Sequence, residues 1–237
     1  MNALCWATIV IFSDSVWRPS AERLARQLAP ACVEHVDMPL NGTEQWGSRE
    51  YFRRIGARLP HMTDLMARRS DGAGWLALFD ADMVALRNVT ARIERLFALH
   101  PHIEFVVQQE LPCQTLPLRP CINGGLWAAR RSATALAALR RATWLADHLR
   151  IPDQDALAIA TADLAVHFLD SGRYANGHTV LRNCTWRAGN AHLIHMNWPC
   201  TAQWKLAWLD HFWRHRFHSD ASKYDGAAGA MRRCSGV

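Results

Sequence analysis

Hydrophobic residues in this chain gather in short, nearly unbroken runs, and the stretches between them carry apolar and polar residues at helical spacing. Residues 7–12 (ATIVIF) and 75–79 (WLALF) are the strongest runs. Runs of that kind belong to strands buried on both faces, as in a parallel sheet. Residues 33–36 and 103–107 are shorter members of the same set. Between them, Ser20 is placed to cap a helix over residues 21–28. A long helix is predicted from Ser48 toward Arg69, dented near Pro60, and another over residues 90–99. Asn41-Gly42 opens a turn-rich segment, and Asp71-Gly72-Ala73-Gly74 turns the chain into the second strong run. Strands alternating with helices predict an α/β fold with a mainly parallel central sheet flanked by helices.

The second half is less regular. Residues 111–120 carry several prolines and read as a long loop, and residues 121–130 as a turn entering a short strand. Ser132 is placed to cap a helix to residue 149, and Asp153 to cap another through residue 160. Short strands are expected at 166–169, 179–181 and 191–194, and a closing helix over 201–216. A single domain is expected over residues 1–218, with a polar, Gly-rich tail over 219–237.

Composition narrows the class. Half of the 237 residues are hydrophobic and 20% are charged, as in ordinary globular proteins. No apolar run is long enough to span a bilayer, and the first residues lack the basic n-region of a signal peptide. The seven cysteines are odd in number and form no CxxC pair, so reduced thiols in a cytoplasm are expected. A net charge of +6 suits anionic ligands. The basic residues form no single stripe and no nucleic-acid motif accompanies them, so nucleic acid is not an expected partner. Weak peripheral association with an acidic membrane is a minor expectation.

The chemistry starts where the second strong run ends, at Asp80-Ala81-Asp82. Ligands of open α/β sheets sit beyond the carboxyl ends of strands. Two carboxylates there suit a hard divalent cation, which in turn neutralises a diphosphate. The triplet alone is weak, and a second copy occurs at Asp153 and Asp155. Downstream come Asn123-Gly124-Gly125, Asp153-Gln154-Asp155, Asn176-Gly177, then His195-Met196-Asn197-Trp198 with Lys205 beyond.

In this order the motifs resemble the GT-A (Rossmann-like) nucleotide-diphospho-sugar transferases, akin to the glycogenin-like and lipopolysaccharide galactosyltransferase-like retaining enzymes. The resemblance covers roughly residues 50–210. It implies a glycosyltransferase using a nucleotide-sugar donor, a UDP-sugar first, and a saccharide, glycolipid or protein acceptor. Asp80, Asp82 and His195 would hold Mn²⁺ or Mg²⁺, as oxygen ligands with one imidazole suit. Lys205 would add charge beside the departing phosphate, although a helix lysine is often only solvated. Asn123, Gly124 and Gly125 would meet the donor sugar; the plainer alternative is a tight Asn-Gly turn.

Asp153, Gln154 and Asp155 would border the anomeric carbon, with Gln154 on its β-face in a retaining reaction. An inverting enzyme would use one carboxylate as general base, and Asp153 also suits a plain helix cap. Phe12, Ser13 and Asp14 end the first strand, where base and ribose are expected. Arg53 and Arg58 compete for one nucleotide contact. Of 11 tryptophans, Trp198 is the candidate for stacking on a sugar, and Trp204 and Trp208, four apart, read as one packed helix face. Pro199-Cys200 departs from the glycine common in the related chains. Two rivals stand: a non-catalytic nucleotide-sugar-binding module, and a haloacid-dehalogenase-type phosphatase, whose nucleophilic Asp is usually followed by Gly or Thr where Met83-Val84 stands here.

Overall fold

Every second residue of the first strand enters a different core. Val10 and Phe12 pack with Met62, Leu78 and Leu139 on one side of the sheet, whereas Ile9 and Ile11 pack with Leu24, Phe79 and Ile93 on the other. That alternation is the period-2 geometry of a strand covered on both faces, and explains the run without polar breaks. The structure, a computed structural model, describes residues 7–38, 55–68, 74–110, 121–182, 188–197 and 202–215.

Its strands are β1 (Ala7–Ser13), β2 (Cys32–Asp37), β3 (Trp75–Asp80), β4 (Met83–Ala85), β5 (Phe105–Glu110), β6 (Cys121–Arg130), β7 (Val166–Leu169), β8 (Tyr174–Asn176) and β9 (Leu193–His195). Its helices are α1 (Arg18–Leu28), α2 (Arg58–Arg68), α3 (Val89–Leu99), α4 (Ala133–Leu149), α5 (Asp153–Ala160), α6 (Gly177–Arg182) and α7 (Ala202–His215). A six-stranded sheet runs β2-β1-β3-β6-β5-β7, and a three-stranded sheet runs β4-β9-β8. In the large sheet only β6 is antiparallel to its neighbours. The mainly parallel α/β sheet expected from the sequence is therefore present.

β6 carries the irregularity that matters. Its ladder with β5 pairs Val107 with Trp127 and then Gln109 with Ile122, so residues 123–126 stand opposite Gln108 alone. A bulge of this kind re-aims a strand locally. Here it carries Asn123, Gly124 and Gly125.

Several local expectations are corrected. Ser20 caps nothing: α1 begins at Arg18, and the Ser20 hydroxyl donates to the Ala81 carbonyl, tying α1 to the turn after β3. Residues 121–130 form a ten-residue strand in place of a turn and short strand. Residues 179–181 lie in α6, begun by the Asn176 side chain accepting from the Thr179 amide, and the strand comes earlier, at β8. Asp153 is the first residue of α5, whose N-cap is Pro152. The Ser132 cap is present, its hydroxyl accepting from the Ala135 amide.

Cys32 and Cys121 are disulfide-bonded, so the expectation of reduced thiols fails there. Cys32 is in register with Thr8 and through it with Ala129, at the end of β6 remote from Cys121. With a strand of that length, roughly 25 Å or more, between them, the two do not bond each other. Their partners lie outside the described residues, as do the turn-rich segment at 41–48, most of the helix start after Ser48, the loop at 111–120 and the tail over 219–237. No helix among the described residues is long and apolar enough to cross a membrane.

Candidate active site

The carboxyl end of β3 meets the small sheet edge-on. Asp80 is the last residue of β3, and Asp82 precedes β4. β4 pairs antiparallel with β9, setting Met83 opposite His195, and the Met196 amide donates to the Asp82 carbonyl. A local turn and one long-range ladder thus bring together residues more than a hundred positions apart. Asp80, Asp82 and His195 offer ligand atoms lying within 4.8 Å of one another. His195 Nε2 is 3.1 Å from Asp82 Oδ1 and 3.6 Å from Asp80 Oδ2. His195 Nε2 and Asp82 Oδ1 are both buried.

In the metal-free protein a proton on His195 Nε2 serves Asp82, and a cation bound to the three ligand atoms would take that proton's place. Two carboxylates and an imidazole fit Mn²⁺ or Mg²⁺. Gly125 is shaped to this cluster: a Cβ there would lie 2.3 Å from His195 Cε1 and 2.4 Å from Asp80 Oδ2. Gly124 does the same for the next layer, its absent Cβ facing Gln154 Cβ at 3.1 Å and Asp153 Oδ1 at 3.3 Å.

Two cations bracket the carboxylates. Lys205 Nζ donates to Asp82 Oδ2 at 2.7 Å, and the same ammonium lies 5.7 Å from the Trp17 ring centroid. Arg58, only 4% exposed, donates through Nη1 to Asp80 and through Nε (3.1 Å) and Nη2 to Asp153 Oδ2. Burial raises the Asp80 carboxyl, but the Arg58 charge and His195 bring it below the ordinary range. Asp82 falls well below it, because Lys205 and His195 outweigh burial. Burial pushes Asp153 upward, with Arg58 opposing. For His195, burial is outweighed by Asp82 and Asp80, and the imidazole is pushed up to about 9.

Two residues the sequence reading passed over complete the floor. Gln108 and Glu110, at the end of β5, reach Tyr174, His195 and Asn197 on and just after the strands of the small sheet. Gln108 is fully buried; its Oε1 lies 2.9 Å from His195 Nδ1 and its Nε2 donates to the Tyr174 carbonyl at 3.0 Å. Glu110 accepts from Asn123 and, at 3.3 Å, from Asn197. The available signal was the polar triplet Gln108-Gln109-Glu110 directly after an apolar run, the same juxtaposition that singled out Asp80.

The other candidates fall as follows. Asn123 uses its amide group within the protein, donating to Glu110 and accepting from the Gly125 amide at 2.9 Å. Gln154 and Asp155 are half-buried in the first turn of α5. Phe12 is a core residue, edge-on to His61 with centroids 5.5 Å apart. Asp14 accepts from the Val16 and Trp17 amides at 2.9 and 3.0 Å, forming the turn before α1. The Ser13 hydroxyl is buried and makes no hydrogen bond among the described residues. Of the competing arginines, Arg58 is the one seen at the carboxylates; Arg53 lies outside the described residues, as does Trp198. Trp127 is core.

Several solved structures that resemble this fold are glycosyltransferases. One, involved in the glycosylation of the major capsid of PBCV-1, superposes with a TM-score of 0.58 at 14% identity, covering 86% of this chain and 98% of that one. The bifunctional glycosyltransferase WbbM gives 0.54 at 10% identity over 86% of this chain and 48% of its own. The glycosyltransferase GlyE of Streptococcus pneumoniae gives 0.50 at 10% identity over 95% of this chain and 65% of its own. No family model and no curated protein matches the sequence. The fold is thus the glycosyltransferase (GT-A) fold, with an Asp-x-Asp-His cluster at the carboxyl end of β3.

Proposed function

We propose that this chain is a metal-dependent glycosyltransferase, moving a sugar from a nucleoside-diphosphate donor, a UDP-sugar first, to a saccharide, glycolipid or protein acceptor. The observation that carries this reading is the convergence of Asp80, Asp82 and His195 at the end of β3, with ligand atoms within 4.8 Å of one another. Asp80, Asp82 and His195 would hold Mn²⁺ or Mg²⁺, which when bound supplies Lewis-acid neutralisation of the leaving diphosphate. Lys205, already at Asp82, is within the same charge cluster and adds a cation for the diphosphate.

Asp153 is spent on Arg58 and on the Gln154 amide. A carboxylate so engaged is a poor general base for an incoming hydroxyl, which counts against Asp153 in that role and suits a retaining reaction with Gln154 beside the anomeric centre. Gly124 and Gly125 let the Asp80–His195 cluster and the first turn of α5 close directly onto the β6 bulge. The disulfide-bonded Cys32 and Cys121 favour work in an oxidising compartment, in place of the cytoplasmic setting expected from the cysteine count.

The test is a thermal-shift panel of nucleoside diphosphates and nucleotide sugars, each with Mn²⁺ and with chelator. Selective binding to the native state raises its apparent stability. Stabilisation by a nucleoside diphosphate only when metal is present supports the reading. No stabilisation by any nucleotide with metal present removes it, and phosphate release from an aryl phosphate would then point to the phosphatase alternative.

A further inference from the structure

We infer that Gln108 is a positioning residue for the metal site: it fixes the tautomer and ring orientation of His195 so that Nε2 presents a lone pair to the cation. The inference rests on the metal-site reading above. It stands on hydrogen-bond chemistry that leaves one consistent assignment.

The Tyr174 main-chain carbonyl can only accept, so the Gln108 atom 3.0 Å from it is the amide nitrogen. The other end of the amide, at His195 Nδ1, is therefore the oxygen, which also can only accept. Nδ1 must carry the hydrogen, and in the neutral imidazole Nε2 is left bare. That nitrogen is the one turned to the carboxylates, 3.1 Å from Asp82 Oδ1 and 3.6 Å from Asp80 Oδ2.

The backbone reserves the place. Gln108 is the single β5 residue opposite the β6 bulge, and β8, whose Tyr174 carbonyl anchors it, pairs with β9, which carries His195. A fully buried side chain with both amide ends committed cannot rotate to offer its nitrogen to the imidazole.

Two variants separate positioning from mere packing. Gln108→Met loses both contacts. Gln108→Glu also loses the donor to Tyr174 but keeps an acceptor for Nδ1–H. Mn²⁺ affinity, read by the electron paramagnetic resonance signal of free Mn²⁺ without any nucleotide, is expected to fall about 10–100-fold in Gln108→Met. Gln108→Glu is expected to retain most of the wild-type affinity although both variants lose thermal stability. Equal loss of affinity in the two, or none in Gln108→Met, overturns the assignment.

Should neither variant fold, two-bond ¹H–¹⁵N spectra of the wild-type protein with Mg²⁺ decide it. Nδ1 of His195 is expected as the N–H nitrogen, and a bare Nδ1 overturns the proposal. Failure of the underlying reading looks different. Wild-type protein would then bind no Mn²⁺ that Asp80→Asn abolishes, and the proposal falls with it.

Discussion

Arg58, at the start of α2, holds Asp153, the first residue of α5, across 95 positions of sequence, with Nε 3.1 Å from Oδ2 and Nη2 on the same oxygen. Its remaining nitrogen, Nη1, meets Asp80. One buried guanidinium therefore joins a candidate metal ligand to the helix that carries Gln154. A planar fork suits this three-way arrangement, and a lysine ammonium does not.

Removing that fork takes the cation from the buried Asp153 and leaves Asp80 facing His195. Arg58→Met is expected to destabilise the protein by about 3–5 kcal/mol, the usual cost of breaking a buried ion pair. Arg58→Lys should recover only a small part of it. Equilibrium urea unfolding measures both. A loss under about 1 kcal/mol for Arg58→Met would mean that the pair is a surface-grade contact.

Gly125→Ala tests the fit of β6 to the metal cluster. The added methyl would meet His195 and Asp80 at under 3 Å, whereas at Gly189 a Cβ meets nothing within 4 Å. Gly125→Ala is therefore expected to abolish the Mn²⁺-dependent thermal shift at a stability cost of about 1–3 kcal/mol, as overpacking does. Gly189→Ala should keep the shift whole. An unchanged metal response in Gly125→Ala would show that the cluster has slack the distances deny.

Much of this site was legible in the sequence, for physical reasons that also mark where the reading stopped. Asp80 stood out because charge follows directly on an apolar run, and that junction is where a parallel strand leaves the sheet. Gln108 and Glu110 sit at the same kind of junction on β5, yet the strand was ended at Val107 when the residues turned polar. Strands reaching into a site do not end where hydrophobicity does. Arg58 and Arg53 were inseparable because helical spacing does not show which face meets a partner 95 residues away. Ser20 and Asp153 were read as caps from local preference alone, and tertiary partners, the Ala81 carbonyl and Arg58, claimed both side chains instead.

The cysteine chemistry is open to a direct count. With Cys32 and Cys121 each disulfide-bonded, alkylation under denaturing, non-reducing conditions should leave both unlabelled in peptide mass maps, and prior reduction should expose them. Reductant should also lower the melting temperature, since a disulfide restricts the unfolded chain. Full labelling of both without reductant would restore the reduced-thiol expectation.

The proton on His195 and the metal compete for one place, which sets a pH dependence of definite sign. Asp82 and Asp80, against the opposing effect of burial, push this imidazole from an ordinary 6.5 up to about 9 in the metal-free protein. A raised folded-state value means that the protonated form is the stabilised one. The contribution is complete below about 6.5 and is lost as pH climbs through about 9. Asp82, lowered in the same cluster, loses its contribution only on acidification and so stays constant across this window. In chelator, the melting temperature should decline between those two values, and His195→Gln should flatten that decline. A cation at the site needs bare Nε2, so Mn²⁺ affinity should rise with pH over the same window, with release of about one proton per ion near neutrality. Calorimetric titration in buffers of different ionisation enthalpy counts that proton. A wild-type stability profile parallel to that of His195→Gln, together with metal binding that releases no proton, would place the titrating group elsewhere.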